Sequence, residues 1–340
     1  MRTYHRSIVF SKISMKGCFI YKDIFQLFPA DDLDGIPTTK VHQKHHPLIL
    51  EYWTEKDEIT YVPSDFDELK DLYSLTALTT TKQDIILSLL TTITNHVFFR
   101  YTEFIGNWGL PILKEDVHND EVNAWESKWC LPLFVWKNFQ KQLKIERFSQ
   151  INYPNVDFIP HEDYYFNNPN FDYSFDKHIT FPNTSIQILD SYYSQPKDIL
   201  EVINSAISFS NSAMELRNSK KTLSLISAFT SIETLVNMEF ENTQVDKCKD
   251  CGQLKYKISE KYRQFLFKYI GKSNTNKKKF NSYYSLRSKI VHTGQKLKTE
   301  KLFSYVSEEK SAEEFLNQIE IIQLAKLSII NWLIQNKKNK

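Results

Sequence analysis

The sequence predicts an α+β domain over residues 1–195 followed by an all-α helical bundle over residues 196–340. Three observations carry this division. At 340 residues the chain exceeds one typical domain, and 41% hydrophobic residues, with 14% of all residues aromatic, can fill two sizeable cores. The first half mixes short β-type runs with helical repeats, whereas beyond residue 196 apolar residues recur at steps of three and four. Between the halves, Gln195-Pro196-Lys197-Asp198 joins a chain break to a helix-start signal.

In the first half, Ile49–Tyr52 and Ile59–Val62 read as strands flanking the polar turn Thr54-Glu55-Lys56-Asp57, a hairpin. Residues Ile86, Leu89, Leu90, Ile93 and Val97 set a helix over Asp84–Val97, with His96–Tyr101 continuing as a strand. Trp and Pro punctuate an irregular stretch from Trp108 to Trp136, and Lys137–Phe148 reads as another helix. Asn152–Pro182, aromatic and rich in Asn and Asp, reads as surface loops leading to the next domain. No motif here converts into chemistry. His42, His45 and His46 lack a Cys or carboxylate at ligand spacing and read as loop histidines. The aromatics from Tyr164 to Phe175 could stack bases but fit a core or interface better. This half is expected to sense a signal or gate the second.

In the second half, Ile199, Val202, Ala206, Phe209, Ala213 and Leu216 predict an amphipathic helix of over four turns. The next helix carries Leu225, Phe229, Ile232 and Val236 on one stripe, with Glu233 among them. A carboxylate there needs a cation, and Arg287 is the candidate. Ile258, Tyr262, Phe265 and Tyr269 set a third helix stopped by Gly271, and Lys272–Lys279 reads as a basic loop. Phe280, Tyr284, Arg287 and Val291 then fall on one stripe of a helix stopped by Gly294. The last helix, Ala312–Gln335, shows Phe315, Ile319, Ile322, Ile329 and Leu333 at bundle spacing before a Lys-rich tail.

Composition narrows the chemistry. With only 7 Gly there is no G-x-G-x-x-G and no P-loop, which excludes the usual nucleotide-hydrolysing machinery. Four cysteines make no disulfide framework. Cys248 and Cys251 resemble half a zinc knuckle that Cys18, Cys130, a histidine or the same pair of a second subunit could complete, but with no second C-x-x-C the pair reads rather as free thiols and no metal ligand is assigned. No apolar run reaches membrane-spanning length and Met1–Gly17 is charged and polar, so a cytoplasmic chain is expected. The net charge of +2 hides an asymmetry: Lys247–Lys301 holds 16 Lys and Arg against 3 Asp and Glu. A basic block of this kind suits a phosphate-binding surface, although a solvated lysine-rich face would look the same.

Within that block, Tyr284-Ser285-Leu286-Arg287-Ser288-Lys289-Ile290-Val291-His292-Thr293-Gly294 sets an arginine and a histidine five residues apart. The bare spacing is weak, arising by chance in roughly one chain in five of this composition. Its setting adds weight, because a guanidinium on a buried stripe must find an anion or acceptors. One reading pairs Arg287 with a core carboxylate and leaves His292 capping the last turn. The other gives Arg287 a phosphate and His292 a proton to move, which are the two roles RNA transesterification needs. On an ideal helix the two side chains stand about 140° apart, so they converge only if the helix ends or distorts between them.

The run LRSKIVHTG resembles the R-x(4 to 6)-H signature of the HEPN superfamily of small helical-bundle domains. Ile226–Leu235, then Cys248–Gln253, then Tyr283–Arg287 resemble, in order, blocks of its Apea-like subgroup, and the likeness covers about residues 197–335. It implies a HEPN-like bundle acting as a metal-independent endoribonuclease that needs no cofactor. Arg287 and His292 would be catalytic, Ser288 would orient the scissile phosphate and Glu233 would position the pair, while Lys289 and the Lys277, Lys278 and Lys279 run would bind RNA. It further implies a homodimer with a composite site, tRNA or mRNA as target, and a toxin or antiviral-defence role. The alternative is a non-catalytic RNA-binding or dimerisation module in which Arg287 and Glu233 are a structural pair.

Overall fold

A computed structural model describes residues 2–30, 46–55, 70–100, 109–111, 122–125, 133–136, 144–167, 178–242, 246–247, 254–255, 257–301 and 305–338. The chain divides into two compact units, residues 1–164 with 170–183, and residues 165–169 with 184–340. An antiparallel sheet founds the first and helices dominate the second, matching the coarse α+β-then-helical expectation. The sequence places the boundary after residue 195. In the structure the helix Ser185–Ser194 already belongs to the second unit.

The first unit is built on β1 (Arg2–Ser11), β2 (Phe19–Tyr21), β3 (Phe25–Pro29) and β4 (His46–Glu55). Helix α1 (Lys70–Ile93) follows, then β5 (Phe98–Phe99), β6 (Gly109–Pro111), β7 (Val122–Trp125), β8 (Leu133–Trp136) and β9 (Lys144–Ile145). The main sheet runs β2-β3-β4-β1-β5, with β9 also on β1, and a separate sheet runs β6-β8-β7. Both edges of Leu48–Tyr52 are taken, by β1 and by β3. No hairpin partner can therefore pair there, and Ile59–Val62 lies outside the described residues. The expected helix over Lys137–Phe148 fails at Lys144–Ile145, which pairs with β1 at His5 and Tyr4. Helix α1 begins well before Asp84, and Ile86, Leu89, Leu90 and Ile93 are buried as their spacing requires. Within Asn152–Pro182, β10 (Phe158–Ile159) and β11 (Phe181–Pro182) pair in parallel, and Tyr164 and Tyr165 are buried while Phe166 is 48% exposed; the aromatics from residue 168 to Phe175 lie outside the described residues.

Glu51 has no counterpart in the sequence reading. It is wholly buried in the middle of β4, directly opposite Arg6 of β1 and Gln26 of β3. Arg6 Nε donates to it at 2.7 Å, Gln26 Nε2 at 2.7 Å, and the Ser149 amide and hydroxyl at 2.8 Å each. One carboxylate thus closes three strands and a segment 98 residues away into a single knot.

The second unit contains α2 (Ser185–Ser194), α3 (Lys197–Leu216), α4 (Lys221–Glu239), α5 (Ile258–Tyr269), α6 (Asn274–Thr293) and α7 (Glu308–Gln335). It is not purely helical, since β12 (Asp246–Lys247) pairs with β13 (Leu254–Lys255) across the stretch holding Cys248 and Cys251, itself outside the described residues. Helices α3 and α4 pack closely because Ala206, Ser210, Ala213, Ala228 and Ser231 are small and buried, with the Ser231 hydroxyl donating to Ala206 O at 2.7 Å. The α4 stripe Leu225, Phe229, Ile232 and Val236 is buried as expected. By contrast Phe209 and Ile258, expected inside, are 38% and 52% exposed, so α3 is rotated about one position and α5 starts outside the core.

Glu239 ties α4, α5 and α7 together. It forms an ion pair with Lys268 and accepts from Tyr269 Oη at 2.9 Å and Trp332 Nε1 at 3.2 Å. Burial would raise its titration, but Lys268 and Tyr269 outweigh that and hold it below the usual glutamate range. A carboxyl so depressed stabilises the fold fully above that range and loses its contribution as pH falls through the lowered value. Glu239→Gln is therefore expected to lower the free energy of unfolding by about 1–3 kcal/mol at neutral pH. In urea titrations the difference from wild type should shrink in acid.

Candidate active site

Helix α6 presents the motif. Ser273 starts it by accepting the Asn276 amide at 3.0 Å, and Gly294 stops it in the left-handed region at φ 63°. This cap draws Lys277, Lys278 and Lys279 into the first turns of the helix, correcting the expected basic loop. Phe280, Tyr283 and Ile290 form the buried side of α6, while Val291 is 45% exposed. The buried stripe thus lies slightly to one side of the expected one, and Arg287 sits at its margin rather than in its middle.

There Arg287 meets Glu233 of α4. Its Nη2 donates to Oε2 at 2.8 Å and its Nε stands 2.8 Å from Oε1, with the side chains 21% and 18% exposed. Both are placed by their neighbours: Glu233 rides the edge of the Phe229, Ile232 and Val236 stripe, and Arg287 follows Tyr283 by one turn. Tyr262 of α5 completes the surroundings, its ring 5.3 Å from that of Tyr284. Burial pushes the hydroxyls of Tyr262, Tyr283 and Tyr284 up, reinforced at Tyr262 by Glu233 and at Tyr283 by Glu320. These phenols stay protonated at neutral pH and are not candidate bases.

His292 is exposed in the last turn and makes no hydrogen bond among the described residues. It is the sole histidine beyond residue 183. Because α6 runs without interruption to Thr293, the imidazole and the Arg287 guanidinium diverge by about 140° and are separated by about 7.5 Å along the axis. The distortion that would bring them together within one chain is absent from this helix. Ser288 lies about 40° from His292 on one side and Lys289 about 60° on the other, so His292, Ser288 and Lys289 share the outer face and Arg287 the inner.

No family model, curated protein or solved structure matches the chain.

The lysines divide. Lys277 and Lys278 are exposed, and Lys277 borders a shallow pocket with Phe267, Lys272, Ser273 and Asn274 at the helix start. Lys279 is committed to Glu320, which also accepts from Tyr283 Oη, so it serves the α6–α7 contact before any RNA. Lys289 lines a cleft of about 190 Å³ with Leu286, Ile290, Leu297, Lys298 and Glu314. Among the described residues no group of three or more His, Cys, Asp or Glu is placed to hold a metal ion, and none of the helices is long and apolar enough to cross a membrane. Tyr262, expected only as a core residue, also borders the site. The signal was its type, since a phenol at the centre of an apolar stripe needs a partner for its hydroxyl.

Proposed function

We propose that the helical unit is a HEPN-type endoribonuclease that works without a metal and as a dimer. The observation that carries this reading is the Arg287–Glu233 pair: an arginine aimed and held by a carboxylate, on an uninterrupted helix whose outer face bears the unit's sole histidine. Because the two groups diverge within one chain, the working site combines Arg287 of one copy with His292 of another.

In that site the ribose 2′-hydroxyl attacks the adjacent phosphorus while His292 takes its proton or supplies one to the leaving 5′-oxygen. Arg287 neutralises the charge gathering on the phosphorane-like transition state. Ser288 orients the phosphate, Lys289 adds positive charge, and Lys277 and Lys278 hold the flanking strand. Internal attack leaves a 2′,3′-cyclic phosphate and a 5′-hydroxyl. The HEPN resemblance further suggests tRNA or mRNA as target and a toxin or antiviral-defence setting.

Purified protein incubated with RNA in EDTA is expected to cut it and to leave those two end groups, identified by mass spectrometry. Cleavage that EDTA abolishes, or fragments ending in 3′-hydroxyls, contradicts the mechanism. The divergence of Arg287 and His292 also favours a second reading, a non-catalytic RNA-binding or dimerisation module. It calls for binding that weakens steeply with salt and no strand scission under any condition.

A further inference from the structure

Two complementary unsatisfied groups sit at the candidate site. The Tyr262 hydroxyl belongs to a residue only 1% exposed and has no hydrogen-bond partner among the described residues. Glu233 Oε1 is also buried, and although Arg287 Nε is 2.8 Å away it receives no hydrogen bond of acceptable geometry. One is a donor without an acceptor, and the other an acceptor held by an ion pair with room for a better-aligned donor. They belong to one cluster: Tyr262 rests its ring against Tyr284, and Tyr284 stands one helical turn before Arg287, the partner of Glu233. Native structures keep few buried polar groups unpaired, because desolvation without a partner is costly. Such a group is explained if a second arrangement of the site satisfies it.

We propose that Tyr262 is a positioning residue that takes over the Glu233 carboxylate when Arg287 leaves it for a phosphodiester oxygen. This rests on the RNA reading of the same site. In the resting chain Glu233 parks Arg287. When a phosphate arrives, the guanidinium turns its donors to the new anion, which would strand a partly buried carboxylate. The Tyr262 O–H then donates to Glu233, and the proton remains on the phenol because burial and the nearby carboxylate both oppose its loss. The arginine is thereby released at reduced cost, and the idle hydroxyl of the resting state acquires its use.

Tyr262→Phe keeps the ring and removes only the donor. The ligands for the test are a 2′-O-methyl oligoribonucleotide, which lacks the attacking hydroxyl, and separately inorganic phosphate. The expected result is a Tm equal to or above that of wild type, with affinity for the oligonucleotide reduced about tenfold. On a Glu233→Ala background, where no carboxylate awaits the phenol, Tyr262→Phe should change nothing further. A variant that melts earlier yet binds both ligands as wild type does overturns the proposal. If wild type binds the oligonucleotide but never cuts RNA, and Tyr262→Phe weakens that binding about tenfold, the nuclease reading falls and the handover stands. If wild type cuts RNA and Tyr262→Phe binds and cuts equally well, the handover falls and the nuclease stands. Failure of wild type to bind either ligand removes both.

Discussion

Arg287→Ala and His292→Ala are each expected to reduce RNA cleavage at least 100-fold, measured as initial rates on a labelled RNA in EDTA. The magnitude follows from the roles. A general acid or base contributes about 10²–10⁴-fold, and a donor aimed at developing charge contributes about 10²–10³-fold. The two variants should differ in stability. His292 is exposed and without a hydrogen bond among the described residues, so its loss should leave Tm within a degree or two. Removing Arg287 strands Glu233, whose side chain is only 18% exposed, and should cost about 1–3 kcal/mol. A His292→Ala protein that folds like wild type and cuts RNA at the wild-type rate would exclude this histidine from the chemistry.

Glu51→Ala is the second large effect. It would leave Arg6, 11% exposed, without its carboxylate, would take one of two acceptors from Gln26 Nε2, which keeps Ser149 O at 3.0 Å, and would remove the Glu51 acceptor from both donors of Ser149. Breaking one side of a buried ion pair typically costs about 3–5 kcal/mol. That is a large share of a typical domain's stability, about 5–15 kcal/mol. Unfolding in urea, followed through the Trp53 environment, should show a transition of the first unit shifted to low denaturant. Glu51→Gln keeps the shape and part of the hydrogen bonding and should fall between. A Glu51→Ala protein as stable as wild type would mean that the knot contributes no net energy.

How much was legible in the sequence differs from element to element. The α4 stripe of Leu225, Phe229, Ile232 and Val236 and the α1 stripe of Ile86, Leu89, Leu90 and Ile93 could be read from periodicity, because the helix face they form is broad and wholly apolar. The Glu233–Arg287 pair could be read too, since charge on an apolar stripe demands its opposite. Phe209 and Val291 are exposed because spacing fixes that a helix has an apolar face, but not to within the 100° of one residue which way it turns; Ile258 is exposed because its helix starts outside the core. Glu51 was illegible because its burial depends on the pairing of three strands and on Ser149, 98 residues along the chain. The helical state of Lys277–Lys279 had a signal in Ser273 with the polar residues after it, overruled by reading a lysine run as a loop.

The claim that the site is shared between copies has the most direct test, a mixing experiment. Arg287→Ala and His292→Ala proteins, each inactive alone, are combined in equal amounts under conditions that let subunits exchange. If each site takes its arginine from one copy and its histidine from the other, half of the dimers are mixed and each carries one intact site. The mixture should then recover about a quarter of wild-type activity. A mixture that exchanges subunits yet remains as inactive as its components, beside a wild type that cleaves, would contradict the account and place both groups in one chain.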